Sequence, residues 1–292
     1  MYVPAVSKTD ERVIREILKI HIMSKNQVAI VIPLSTRPGL SESELISLKH
    51  LEHYLSDYDR FFIAPENIKV EYEGIPVIRM ADKYFGSLNA HTRLSLSNEF
   101  YENFSGYKFM LMYHLDCLVF DSGLDWWCDM DYDLIGPPWI KGPDLPWLEE
   151  EGVGNTGFSL RKIESFLKLL NSKVRWEGPR SKLNKVVRSE TIADKLKQTG
   201  DLAASPFPGR NNIHAHIKYH IEKDGHDDRF LHEFATKYYP DFNIAPVEVA
   251  LKFGFEANPR ICFERNQKNI PFGCHAWETY DKEFWEPFML DH

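Results

Sequence analysis

Four short stretches of this 292-residue sequence bring together side chains capable of chemistry. The first is His114-Leu115-Asp116, in the apolar run Tyr107 to Phe120 (YKFMLMYHLDCLVF). An extended chain turns alternate side chains to one face, so this spacing predicts His114 and Asp116 side by side at the end of a strand. A lone carboxylate is expensive to bury. Such an Asp must reach a water-filled cleft, pair with a cation or bind a metal; the plainer alternative is a cap on the following turn.

The second stretch runs from Gly154 to Lys162 (GNTGFSLRK). Its glycines let backbone approach a ligand closely, Asn155 offers a donor and an acceptor to ligand hydroxyls, and Ser159 is placed to cap a helix beginning about there. The third is His226-Asp227-Asp228-Arg229-Phe230, with two adjacent carboxylates after Gly225 at an expected helix start. Their plainer reading is charge complementarity with the helix N-terminus. The fourth is Pro271 to Trp277 (PFGCHAW), which concentrates glycine, His275 and tryptophan in one turn.

These residues need a scaffold, and the sequence predicts one of alternating strands and helices. Gln27 to Pro33 (QVAIVIP) is the continuous β-branched run of a strand buried on both faces. Ser41 and Glu44 have capping-box spacing, followed by Leu45, Leu48, Leu51, Tyr54 and Leu55 at helical intervals. Short strands are expected at Arg60 to Ala64, Pro76 to Met80 and Tyr132 to Gly136, and a helix from about Leu88 to Phe104. This alternation predicts an α/β fold with an open, mostly parallel sheet, whose cleft lies outside the carboxyl ends of the strands.

Composition excludes several classes. A net charge of -8, from 35 Lys+Arg against 43 Asp+Glu, argues against a nucleic-acid binder. No apolar run approaches the roughly 18 to 20 residues of a membrane-spanning helix. The charged N-terminus lacks the apolar centre of an export signal, and four cysteines without a CxxC pair read as reduced thiols, so the expected location is cytoplasmic.

In order along the chain, VAIVIPL, LISLKHLEHYLSDYD with FFIAPE, NEFYENFSGYKFMLMYHLD with LVF, YDLIGPPW, GNTGFSLRK, and NIAPVEVALKFGFE with PFGCHAW carry a family likeness. They resemble the glycosyltransferase-like family found largely in bacterial surface-polysaccharide loci and long catalogued as a domain of unknown function. The similarity runs from Val28 to Trp277, and the GNTGFSLR and PFGCHAW elements are its most specific parts. It implies a GT-A-like, Rossmann-type fold with a mostly parallel central sheet flanked by helices. The expected organisation is a single domain over 27–290, a helical extension over 1–26 and a polar acceptor-side insertion at 178–212.

The resemblance further implies a metal-dependent, inverting hexosyltransferase using Mn²⁺ or Mg²⁺, a UDP-sugar as donor and a glycan or glycoconjugate hydroxyl as acceptor. A lipid-linked acceptor would bring peripheral contact with a membrane. Asp116 stands where a DxD-type motif places its metal-binding carboxylate; the first position is His114 rather than Asp, which leaves His114 to touch the nucleotide. His275 resembles the C-terminal histidine that completes such a metal site. His226-Asp227-Asp228 resembles the Glu-Asp pair that supplies the catalytic base, with Asp227 and Asp228 both candidates and spacing favouring Asp228. Pro33, Leu34 and Thr36 follow the first strand toward the nucleotide, Arg93 is expected on a phosphate, and Asn155 and Gly157 line the donor-sugar pocket.

Two other readings compete. His214, His216, His220 and His226 form a cluster that could bind zinc in a metallohydrolase, although it lacks the helical HExxH arrangement. Seven Trp and 13 Tyr could instead stack on sugar rings in a non-catalytic carbohydrate-binding protein.

Overall fold

In the computed structural model, the described residues are 27–290 apart from 38, 71, 73, 176–211 and 224. The expected N-terminal helix over 1–26, and all of the 178–212 segment except Asn212, lie outside them.

The strands are β1 (Val28–Pro33), β2 (Asp59–Pro65), β3 (Val77–Met80), β4 (Phe109–Tyr113), β5 (Leu118–Val119), β6 (Leu134–Ile135), β7 (Pro138–Trp139), β8 (Gly152–Val153), β9 (Phe158–Lys162), β10 (Gly254–Phe255) and β11 (Gly273–Cys274). The helices are α1 (Glu42–Leu55), α2 (Leu88–Ser95), α3 (Asn98–Glu102), α4 (Leu124–Asp129), α5 (Ile163–Leu170), α6 (Ile213–Lys223), α7 (Asp227–Tyr238), α8 (Val247–Phe253), α9 (Pro259–Arg265) and α10 (Lys282–Trp285). Six strands form the main sheet in the order β3-β2-β1-β4-β9-β6. β1, β2, β3 and β4 pair in parallel, and β9 runs antiparallel to both β4 and β6. A smaller sheet, β10-β11-β5, carries the C-terminal segment against it.

Alternation along β1 and β4 decides how the sheet is covered. Ala29, Val31, Met110 and Met112 face a layer containing residues of α2, α3, α5, α6 and α7. Val28, Ile30, Ile32, Leu111 and Tyr113 face α1, α4 and α8. Both faces are dry, which accounts for the unbroken apolar reading of QVAIVIP. The expected α/β fold, with helices on both sides of a mostly parallel sheet, is the fold observed.

Local chemistry sets the helix boundaries. The Ser41 side chain accepts from the Glu44 N–H at 3.3 Å and the Glu44 carboxylate accepts from the Ser41 N–H at 2.7 Å, completing the expected capping box of α1. The single helix expected from Leu88 to Phe104 is instead two, because Ser97 leaves the helical conformation to cap α3 through Phe100 N–H. Ser159 does not cap a helix. It lies inside β9, and α5 begins after Lys162.

Candidate active site

From β1 the chain proceeds to β2 and β3 on one side, whereas β4 returns to the other side of β1. Where strand order reverses in this way, the connections leaving the two neighbouring strands diverge and open a crevice at their carboxyl ends. Pro33, Leu34 and Ser35 from β1, and His114, Leu115 and Asp116 after β4, line one open cleft of about 420 Å³. His91 of α2 and the start of α1 complete its walls.

His114 and Asp116 do meet, but not by strand alternation. β4 ends at Tyr113, and His114 to Cys117 form a tight turn closed by Cys117 N–H donating to His114 O at 3.0 Å. The buried Tyr113 hydroxyl fixes this turn to α1, lying 2.9 Å from Ser47 O and 3.1 Å from Cys117 O. His114 N–H donates to Gly157 O at 2.9 Å, and Trp277 N–H donates to Asp116 O at 3.2 Å. Backbone therefore ties the HLD turn to both the GNTGFS and the PFGCHAW segments.

His275 Nε2 lies 3.3 Å from Asp116 Oδ1, and its Nδ1 lies 2.7 Å from Glu256 Oε1. Asn155 braces this arrangement. Its Nδ2 donates to Glu256 Oε1 at 2.5 Å, and its Oδ1 accepts from the N–H groups of Gly157 and Phe158. Gly157 is needed for room, since a Cβ there would sit 2.1 Å from His275 Nε2. Asn155 and Gly157 thus support His275 directly.

His114, Asp116 and His275 each bring one ligand atom within 4.8 Å of the other two. Two imidazoles and a carboxylate make a donor set for a divalent ion, and the imidazoles favour a transition ion over Mg²⁺. Glu256 takes the far nitrogen of His275, as carboxylates behind metal-binding histidines do. His114 Nε2 is buried without a hydrogen-bond partner. The residues present therefore fit a divalent metal ion.

Charge is concentrated here. Burial acts to lower His275, but Asp116 and Glu256 outweigh it and raise its pKa to about 10. Burial likewise opposes the charge on Asp116, yet His275 and then His114 hold it below the usual carboxylate range. His114 is lowered to about 3 by burial and by neighbouring His91, so it presents a neutral ring.

The two carboxylates at the start of α7 occupy different environments. Asp227 is buried and lies 3.9 Å from the guanidinium of Arg161, which is itself fully buried. Arg161 also donates to Ser159 Oγ, Ser95 Oγ, the Tyr101 hydroxyl and Thr156 O. Burial opposes the Asp227 charge, but His91 and Arg161 hold its pKa down. Asp227 is the counter-ion of a structural hub. Asp228 keeps 25% of its side-chain surface open, against 4% for Asp227, so an incoming group can reach it. Burial, then the charge of Asp227, raises Asp228 to about 7. A Cβ on Gly154 would lie 3.1 Å from Asp228 O, so that glycine lets α7 start close to the GNTGFS segment.

Arg93 does not join the cleft. Two residues from His91 it points about 200° away around the helix, where it lines a separate groove with His214, Ile217 and Lys218. Thr36 is exposed and abuts Gly86 rather than lining the cleft. Two of the α6 histidines serve the core: His216 packs on Phe230 and Phe234 with Nδ1 3.0 Å from the Tyr238 hydroxyl, and the His220 ring lies against Phe230, while His214 is exposed. They contribute to no three-ligand group among the described residues. All four cysteines are free and buried. No helix among the described residues is long and apolar enough to cross a membrane.

Sequence reading singled out neither Glu256, His91 nor Arg161. Glu256 and Arg161 lie inside GFE and FSLRK, where one acid or one cation has no periodic signal, and His91 shares its helix with the more conspicuous Arg93.

The sequence matches the family model of a protein of unknown function, DUF5672, over residues 74–275, a span that contains every side chain described around His275 and α7. No curated protein matches it. Two solved structures are remotely similar. One is a glycosyltransferase involved in the glycosylation of the major capsid of PBCV-1, with 11% identity and a TM-score of 0.45 over 89% of this chain and 98% of that one. The other is the galactosyltransferase LgtC in complex with donor and acceptor sugar analogs, with 14% identity and a TM-score of 0.42 over 85% of this chain and 86% of that one.

Proposed function

We propose that this chain, which belongs to the DUF5672 family of unknown function, is a metal-dependent glycosyltransferase that moves a hexosyl group from a nucleotide-sugar, a UDP-sugar, to a hydroxyl of a glycan or glycoconjugate. The observation that carries the reading is the position of the His114, Asp116 and His275 set. It stands at the switch point between β1 and β4, with a reachable carboxylate of raised pKa, Asp228, at the start of α7.

His114, Asp116 and His275 would hold a divalent cation, with Mn²⁺ favoured over Mg²⁺ by the two imidazoles, and that ion would supply charge compensation for the departing nucleoside diphosphate. Glu256 and Asn155 orient His275 for that task. Pro33 and Leu34 form the part of the cleft that takes the nucleoside. Asp228 accepts the proton of the acceptor hydroxyl as that oxygen attacks the anomeric carbon and the bond to the diphosphate breaks. A base with a pKa of about 7 is half-ionised at neutral pH and still strong enough to draw the proton, a role worth about 10²- to 10⁴-fold in rate. One in-line displacement inverts the anomeric centre.

The test is release of nucleoside diphosphate from each common nucleotide-sugar, with Mn²⁺ or with EDTA, by wild type and Asp228→Asn. Turnover of one donor that needs Mn²⁺ and Asp228, with an inverted product by proton NMR, supports the reading; a retained configuration removes Asp228 from its role. The same two-imidazole, one-carboxylate set also suits zinc, which makes a metallohydrolase using these residues the second reading. Stabilisation by Zn²⁺ with no response to any nucleotide would favour it.

A further inference from the structure

A second concavity, of about 430 Å³, is lined by Phe120, Asp121, Trp126, Trp127, Lys252 and Phe272 among others. It lies across the small sheet from the cleft. β5 and β11 pair antiparallel, Leu118 opposite Cys274 and Val119 opposite Gly273, so Asp116 and His275 leave one end of this ladder and Phe120 and Phe272 the other. Phe120 N–H donates to Phe272 O at 2.8 Å and Phe272 N–H donates to Lys252 O at 3.0 Å, which fixes three of the lining residues in one row. Trp127 is buried edge-on against Phe253, with ring centroids 5.1 Å apart. Trp126 stands off Trp127 at 83°, with centroids 4.6 Å apart, and is 54% exposed. A tryptophan alone on a surface would need no explanation, but this one walls a concave site whose floor is already held by backbone bonds.

The polar part of the lining decides what fits. Asp121 and Lys252 both face the cavity, and neither is in an ion pair among the described residues. Asp121 Oδ1 accepts from Gly123 N–H at 2.6 Å, which fixes the carboxylate and leaves its second oxygen for a ligand. An anion would meet Asp121 together with the exposed Asp125 and Asp129 of α4, whereas a cation would meet Lys252. An acyl chain would strand both charges against hydrocarbon. A neutral sugar ring avoids all three conflicts: its C–H face lies on an aromatic ring, while its hydroxyls accept from Lys252 and donate to Asp121.

We propose that this cavity is a carbohydrate subsite separate from the cleft at His114, in which one neutral sugar unit of a glycan stacks on Trp126 and hydrogen-bonds to Asp121 and Lys252. It goes beyond the transferase reading, because binding here needs neither the metal nor the nucleotide.

The experiment titrates wild type, Trp126→Ala, Trp126→Phe and Asp121→Ala with neutral tetrasaccharides of glucose, galactose, mannose and N-acetylglucosamine, in EDTA and without nucleotide, read by saturation-transfer difference NMR. Both side chains are exposed, so the variants are expected to melt with wild type. At least one saccharide is expected to bind wild type and to bind Trp126→Ala and Asp121→Ala about tenfold more weakly. Trp126→Phe, which keeps an aromatic face, is expected to stay within about threefold of wild type. Wild type that binds none of the four overturns the proposal. So does binding that either alanine substitution leaves unchanged, or that Trp126→Phe does not restore. Trp126-dependent binding of choline, or of phosphatidylglycerol vesicles, with no saccharide bound also overturns it, by giving the cavity to a cation or a membrane. The nucleotide and Mn²⁺ tests of the transferase reading use other residues and other ligands, so either proposal can fail without the other.

Discussion

Glu256 Oε1 stands 2.7 Å from Nδ1 of His275, which leaves Nε2 of the same ring facing Asp116. A carboxylate in this position fixes both the tautomer and the direction of the ring, and outer partners of metal-binding histidines typically matter by 10- to 100-fold in metal affinity. Glu256→Gln is therefore expected to lower Mn²⁺ affinity by about 10- to 100-fold without unfolding the protein. Calorimetric titration with Mn²⁺ checks this, and unchanged affinity would show that the Glu256 charge does not support the metal set.

Asp228 yields a pH prediction. Its pKa in the folded chain is about 7 against an ordinary 3.8, so between those values the folded state holds a proton that the unfolded state has released. The unfolded state then binds fewer protons, and this group's contribution to stability falls as pH rises through that window. Asp228→Asn removes the slope. The variant is expected to melt above wild type at pH 8, to equal it near pH 4, and to lose about 10²- to 10⁴-fold in transfer rate. In wild type kcat/KM should rise with pH through about 7. Melting curves and rates across pH measure both.

Arg161 tests the structural half of the α7 carboxylate pair. It is fully buried with Asp227 as its counter-ion, so Arg161→Met leaves that carboxylate uncompensated. Removing one partner of a buried pair typically costs about 3 to 5 kcal/mol. Urea denaturation should show a loss of that size, and adding Asp227→Asn should restore part of it. If Arg161→Met were as stable as wild type, Asp227 would have to be neutral.

Much of this arrangement could be read from the sequence, at the level where local pattern decides structure. QVAIVIP is unbroken and apolar because β1 is covered on both faces, and Ser41 with Glu44 fixes the start of α1 through contacts three residues apart. His114, Asp116, Asp228 and His275 were identifiable as chemical residues. Their mutual geometry was not. The turn at His114 depends on the Tyr113 hydroxyl reaching α1, 66 residues away in sequence, and the orientation of His275 depends on Glu256 and Asn155 from other strands and loops. Arg93 misses the cleft because the side of α2 that carries His91 lines it, which residue type alone does not reveal. Ser159 had the composition of a helix cap, but β9 pairing with β4 and β6 overrode that local preference.

On the proposed reading, His114, Asp116 and His275 hold a metal that binds a nucleotide-sugar. This is tested most directly by thermal melting of wild type and His275→Ala with UDP, GDP, CMP and dTDP and their sugars, in Mn²⁺ or in EDTA. A ligand that binds only the folded state raises its stability. One nucleotide class is expected to raise the melting temperature of wild type in Mn²⁺, and EDTA or His275→Ala to abolish the shift. A shift that survives both, or no shift with any nucleotide, would contradict the reading.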